Sequence, residues 1–289
     1  LSSVFASGLG NTAHMFCDYH VHSRYNDDSC YPMEDCVKDA IDMGMDEICF
    51  CDHVDYGVKL DPMDLEEEMR ANTVLNVDYP RYFAQLSALQ EAYRGQITIR
   101  KGLEFGMQTH TIAAFERLQK QWPLDFVILS IHQVNDQQFH LREFQKGKSE
   151  EQYYKAYYEE LLAVIRQYKG YSVLGHLDLM KRYDDKDGYD GFVHHQDLIT
   201  EILRQVIADG KGIELNTSSV RYGLDSLLPD ERILRLYREL GGTILTIGSD
   251  SHAPAHLGTG IEEQKKTLKT IGFTHFCTFE RMRPIFHPL

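Results

Sequence analysis

Positive charge is scarce in this chain: 30 lysines and arginines stand against 44 aspartates and glutamates, a formal balance of -14 over 289 residues. Such a field disfavours nonspecific attraction to nucleic-acid phosphates, although a local cluster of cations can still hold an anion against it. Long apolar runs are missing too. None approaches the roughly 20 residues that span a bilayer, so no membrane segment is expected and a small molecule is the better-fitting partner. The six cysteines, at 17, 30, 36, 49, 51 and 277, form no C-x-x-C pair and no framework of a short secreted chain. They read as reduced thiols of a cytosolic protein. Sequence repeats, low-complexity stretches and interdomain linkers are absent as well. Residues 1–14 are small and polar, lack the basic start of a signal peptide and precede the first methionine, Met15. They are expected to be a tag or disordered extension ahead of one domain, 15–289.

What is present is a regular alternation. Short β-rich apolar runs are followed by segments of helical periodicity, around 33–43, 79–94, 110–120, 150–168, 196–209, 229–240 and 261–270. Seven runs end in polar residues: His20 and His22, Asp52-His53, Glu104, His132, His176 with Asp178, Glu214 to Thr217, and Gly248 to His252. Strand and helix alternating this often argue for parallel pairing, and closure into a barrel sets every strand's C-terminal end on one rim. An open doubly wound sheet would gather its site at one switch point and needs no polar residue after every strand. The α/β barrel is therefore the better reading. Residues 55–78, rich in acid (Asp64, Glu66, Glu67, Glu68), are expected to be a loop or small helix inserted after the second strand, with a solvated face.

The polar ends share a chemistry. Residues i and i+2 of a strand project from one face, so His20-x-His22 and Asp250-x-His252 are each a pair of ligands aimed at one place. Imidazole nitrogen and carboxylate oxygen together suit zinc, iron or manganese. A lone histidine at a strand end is most often an ordinary polar residue; an ordered set on one rim points to a multinuclear metal centre. Asp18 lies on the line of His20 and His22 and is a candidate to hold an imidazole from behind. A salt-bridged or capping role is the competing assignment.

These residues resemble the polymerase and histidinol phosphatase (PHP) superfamily: Asp18-x-His20-x-His22, Asp28, Cys51-Asp52-His53, Gly-Leu-Glu104, Ser-Ile-His132, Gly-His176-Leu-Asp178 and Gly-Ser-Asp250-Ser-His252. Gly102-Leu-Glu-Phe-Gly106, Lys181-Arg182-Tyr183 and Glu214-Leu-Asn-Thr217 with Arg221 look closest to the monofunctional histidinol-phosphatases. The resemblance covers nearly all of the chain after Met15. It implies a distorted (β/α)7 barrel with three divalent metals on the C-terminal rim. His20, His22, Glu104 and Asp250 would hold the first. Glu104 would also bridge to a second metal held by His132 and His176, and Asp28, His53 and His252 would hold the third. The family often has histidine where this chain has Asp28, and Asp27 is the rival carboxylate there.

Three divalent cations bring about +6, which Glu104, Asp28 and Asp250 reduce to roughly +3 and a metal-bound hydroxide to about +2, a charge matched to a phosphate monoester dianion. Phosphate ester hydrolysis follows, and the resemblance names L-histidinol phosphate as substrate, in histidine biosynthesis. Arg182 and Arg221 follow the fifth and sixth strand ends, where guanidinium groups could reach a phosphate; a surface or salt-bridged role is the alternative for each. Lys181 is expected to point away from Arg182. Asp178, two residues after His176, is a candidate proton donor to the leaving alkoxide or a group that orients a ligand. His194 and His195 read as solvated, and Asn216 and Thr217 as pocket-lining or loop-capping. Other readings remain open: a PHP phosphatase acting on phosphotyrosine or nucleotides, an amidohydrolase, and a noncatalytic PHP scaffold. Amidohydrolases commonly bridge two metals with a strand-end lysine, where this chain offers Glu104. Scaffold modules often lose ligands, whereas every position here keeps a coordinating side chain.

Overall fold

A computed structural model describes residues 14–289. The expected extension, 1–14, lies outside the described residues except for its last position. Seven parallel strands form one sheet in sequence order: β1 (Cys17–Val21), β2 (Glu47–Val54), β3 (Thr98–Gly106), β4 (Phe126–Ser130), β5 (Val173–Leu174), β6 (Gly212–Asn216) and β7 (Leu245–Gly248). The first and last meet. Val21 bridges Ser251 in parallel, with His22 N–H donating to Ser251 O at 2.8 Å and Ser251 N–H to His20 O at 3.2 Å. The sheet is thereby a nearly closed barrel, as the regular alternation implied.

Closure needs close approach at the seam. A Cβ on Gly248 would lie 2.3 Å from the His20 Cβ, so no larger residue fits there without displacing β1. Asp18 fastens the same seam from the other side, accepting the backbone N–H of Ser249 at 2.9 Å and of Gly258 at 2.9 Å. Its carboxylate also takes the N–H of His20, not an imidazole, so this residue braces the barrel and does not orient a ring.

Among the described residues the helices longer than four residues cover the barrel: α1 (Met33–Asp42), α2 (Tyr79–Ala92), α3 (Ile112–Gln121), α4 (Glu150–Gln167), α5 (Gln196–Ala208), α6 (Glu231–Glu239) and α7 (Ile261–Ile271). Each presents one apolar stripe, as with Ile199, Ile202, Leu203 and Val206 of α5, spaced by three and four residues so that they fall on one face. The stripe of α4 is aromatic. Tyr153, Tyr154, Tyr157 and Tyr158 are all buried. Their start is set by a capping box in which Ser149 Oγ accepts the Gln152 N–H at 3.2 Å and Gln152 Oε1 accepts the Ser149 N–H at 2.8 Å. The acidic insertion after β2 is mostly loop with a short helix at Glu67–Arg70.

A hairpin, β8 (His275–Glu280) and β9 (Arg283–Pro288), ends the chain. It lies across the opposite end of the barrel from the polar strand ends. Phe279 packs on Phe126 with ring centroids 5.0 Å apart, and its N–H donates to the Tyr19 hydroxyl at 2.9 Å. That hydroxyl in turn donates to Glu47 at the start of β2. Among the described residues no helix is long and apolar enough to cross a membrane. All six cysteines are free, and Cys30 alone of them is exposed.

Candidate metal centre

At the C-terminal rim the strand ends converge on Glu104. Its strand, β3, is buried from Gly102 to Gly106, and the pairing of β2 with β3 sets His53 directly beside it. Glu104 Oε1 lies 3.1 Å from His20 Nε2, 2.9 Å from His53 Nε2 and 3.5 Å from His22 Nε2. Oε2 lies 3.1 Å from His176 Nε2 and 3.2 Å from His132 Nε2, and accepts the Ser130 hydroxyl at 2.7 Å. The two oxygens thus address two separate groups of imidazoles. Asp250 closes the first group, with Oδ1 3.0 Å from His22 Nε2 and 3.4 Å from His20 Nε2.

Four overlapping sets of ligand atoms result at the rim, each within 4.8 Å: His20, His22, Glu104 and Asp250; Glu104, His132 and His176; His22, His53 and His252; and His53, Asp55 and His132. Asp28 is 54% exposed in its side chain and reaches only His252 among the histidines, at 3.3 Å, while the buried His22 stacks on His252 at 4.2 Å. Asp27, the rival carboxylate, pairs with Lys59 at 2.7 Å.

The chemistry of this donor set fits divalent cations. Five imidazole nitrogens crowd around Glu104, two of them shared with Asp250, so holding them all by protons would set several charged rings side by side. Like charges in so dry a place oppose one another as well. Burial disfavours charge on His132, yet Asp55 and Glu104 outweigh it and push its pKa up to about 9. Burial and the neighbouring His252 and His53 instead drive His22 down to about 3. Against burial, the carboxylates likewise raise His20, His53 and His252, so the cluster draws positive charge into itself, and only His22, hemmed in by two of those rings, is driven the other way. Cations placed between the rings remove that conflict.

Carboxylates behind the rings orient several of them, and this layer escaped the sequence reading. His20 Nδ1 pairs with Glu214, which also accepts the His176 N–H at 3.0 Å. Asp55 lies 2.8 Å from His132 Nδ1 and 3.5 Å from His53 Nδ1, tying two ligand candidates to one anchor. Gly106 makes that possible, because a Cβ there would meet Asp55 Oδ1 at 1.7 Å. Both carboxylates stand two residues along a strand end from another polar residue, Asn216 and His53. That i, i+2 signal was available for each.

The two arginines part company. Arg182 faces the cavity of ≈ 450 Å³ that holds the cluster, donates Nη2 to the Ser218 hydroxyl at 3.1 Å and stacks on Tyr222 at 3.7 Å. Arg221 instead donates to the backbone carbonyls of Asp250 at 2.8 Å and Ser249 at 3.2 Å, so it braces the seam segment. Lys181 turns away from Arg182, to Asp178 at 2.8 Å, as expected. Asp178 goes with it. Its carboxylate takes Lys181 and the Asp230 N–H at 3.0 Å and lines a separate cavity of ≈ 400 Å³, not the one with the histidines. The i, i+2 argument fails there because β5 stops at Leu174 and His176 has φ of 25°, so the two side chains no longer share a strand face. His195 differs from expectation too: it is buried, bonded to the Tyr189 hydroxyl at 2.6 Å and stacked on Tyr154. Asn216 bridges Glu214 and Asp250, at 3.0 and 3.2 Å, and Thr217 caps the Thr259 carbonyl at 2.6 Å.

Comparison with known proteins agrees with this geometry. The histidinol-phosphatase of Lactococcus lactis subsp. lactis is 29% identical over 275 residues, spanning 92% of this chain and 95% of that one. That of Bacillus subtilis is 27% identical over 278 residues, spanning 85% and 96%. The crystal structure of the L. lactis histidinol phosphate phosphatase, complexed with zinc, L-histidinol and phosphate, superposes with a TM-score of 0.80 at 27% identity. It covers 93% of this chain and 98% of that chain. The PHP domain model matches residues 18–218, from the aspartate that braces the seam to the serine that holds Arg182, and the chain belongs to the PHP-domain family.

Proposed function

We propose that this chain is a metal-dependent phosphomonoesterase that hydrolyses L-histidinol phosphate to L-histidinol and phosphate. The observation that carries the reading is Glu104, whose two oxygens each face a different set of imidazoles on the rim of a barrel that matches a histidinol phosphate phosphatase along its length. His20, His22, Glu104 and Asp250 would hold one ion, Glu104 with His132 and His176 a second, and His53 and His252 with Asp28 a third. Zinc, iron and manganese all suit the set. When bound, such ions lower the pKa of water toward neutrality and neutralise charge on phosphoryl oxygens.

The protein's own groups do the rest. Arg182 is held by Ser218 and stacked on Tyr222, so its planar guanidinium meets a phosphate dianion in a preset orientation. Asp55 and Glu214 hold the imidazoles by Nδ1 and leave Nε2 directed at the pocket. The outer part of the cavity, with Val58, Val74, Phe139 and Leu141 beside Asp27 and Gln138, provides apolar surface and hydrogen-bonding groups for the alcohol half.

The test is a phosphatase screen of metal-reconstituted protein across histidinol phosphate, phosphotyrosine and nucleotides. Clear preference for histidinol phosphate, abolished by a chelator, is the expected result. Equal or faster turnover of the other monoesters would displace the named substrate but leave the reaction class. Hydrolysis of cyclic amides without phosphatase activity would replace the class itself.

A further inference from the structure

The loop that follows Arg182 carries a second carboxylate cluster, away from the histidines. Glu150, the first residue of α4, and Asp185 and Asp187 of this loop each place a ligand oxygen within 4.8 Å of the others. The aspartates are exposed, but Glu150 is only 9% exposed, and its Oε2 is buried with no hydrogen-bond partner. A buried carboxylate oxygen left unpaired is unfavourable enough to require a compensating group. Capping of the helix does not supply one, because the Ser149–Gln152 box already serves that end of α4.

Nearby cations do not complete the cluster either. Arg142 donates to Asp185 Oδ1 at 2.8 Å, whereas Lys186 turns to the Lys181 carbonyl and lies 3.5 Å from Asp184. Three carboxylates and one guanidinium leave a formal charge of about -2, the complement of one divalent ion. The loop backbone produces the convergence: Lys186 at φ 58° and Gly188 at φ 87° fold the chain back on the start of α4. Burial, then a hydrogen bond shared with Asp187 and the negative charge of Asp187, Asp184 and Asp185, push the pKa of Glu150 up to about 7.

We propose that Glu150, Asp185 and Asp187 bind a hard divalent cation, best matched by calcium, which pins the loop at 184–188 to the N-terminal end of α4. Oxygen is the only donor offered, which disfavours the softer ions suited to the histidine rim. The exposed side leaves room for waters to complete a flexible shell of about 6–8 oxygens, which calcium accepts and the smaller magnesium does not.

The experiment uses the full chain with its histidine rim loaded with zinc. Calcium chloride is titrated calorimetrically into the wild type and into D185N/D187N, with folding verified by circular dichroism. Wild type should take up one more calcium per chain than the double variant, and its unfolding midpoint should rise at calcium concentrations that leave the variant unmoved. E150Q, which keeps both exposed aspartates, should bind this calcium about tenfold or more weakly. If the double variant does not fold, E150Q decides the matter alone. Equal calcium uptake and equal thermal response in wild type and the folded variants would overturn the proposal and assign the cluster to carboxylates sharing a proton.

Discussion

At the C-terminal rim Glu104 stands among five imidazoles, whereas at the opposite end Phe279 of the closing hairpin seals the barrel against Phe126 beside a Tyr19–Glu47 contact. The same strands build both ends. At the rim, buried polar groups outnumber the partners the chain itself provides, and His22 Nδ1 and His176 Nδ1 are left without any. At the sealed end, aromatic surface is removed from water and the hairpin's backbone finds partners in Asp125 and Tyr19. The contrast teaches a division of labour: changes at the rim should alter chemistry, and changes at the sealed end should alter stability.

The strongest attempt to break that division is Glu104→Gln. A glutamine keeps the size of the side chain but has one neutral oxygen where the carboxylate addresses two groups of imidazoles. Losing several kcal/mol of charge stabilisation should lower kcat/KM by roughly 10³-fold or more. Steady-state hydrolysis and metal content measured on the same preparation check this, and near-normal turnover would remove Glu104 from its bridging position. The reverse case is Phe279→Ala, expected to destabilise the fold by about 3–5 kcal/mol in urea unfolding. Its kcat/KM per folded molecule should be unchanged. A tenfold fall would show that the two ends are coupled.

How far the sequence reaches follows the same line. Periodicity disclosed the seven strands and seven helices, because each helix must bury one stripe and each strand is covered on both faces. The i, i+2 rule sufficed to pair His20 with His22 at the end of β1, whereas the bridging place expected for Glu104 came from the family resemblance. Where the backbone leaves the strand, the rule misleads: β5 ends at Leu174, and Asp178 consequently faces Lys181 and a different cavity. A backbone carbonyl with room for a further donor is invisible in a sequence, and two of them take up Nη2 of Arg221. Asp55 and Glu214 were missed for a related reason. Which imidazole a carboxylate supports depends on pairing across strands far apart in the chain.

Asp55 sharpens the comparison, since it lies at the rim yet touches only the far side of the rings. Asp55→Asn keeps the shape but weakens the anchor shared by His132 and His53, and should lower metal affinity or kcat/KM by roughly 10–100-fold. Excess metal in the assay separates the two contributions. Recovery of activity would assign Asp55 to metal retention, and no recovery to the orientation of the rings. An unchanged affinity and rate together would mean that the Nδ1 contacts at 2.8 and 3.5 Å have no functional weight.

The smallest effect should come from Tyr19→Phe, at the sealed end. Tyr19 lies on β1 one residue before His20, so its backbone neighbours a ligand candidate while its side chain points to the opposite end of the barrel. Removing the hydroxyl keeps the aromatic packing on Phe126 at 5.1 Å but takes a donor from Glu47 and an acceptor from the Phe279 N–H. Glu47 retains Arg100 at 3.4 Å, so the loss should stay near 1–2 kcal/mol. Urea unfolding reads the stability, and metal content with kcat/KM reads the rim. If stability falls and the rim is untouched, one strand serves two independent ends through alternate residues. A loss of metal with no loss of stability would show instead that the hydroxyl sets the position of β1, and with it His20 and His22.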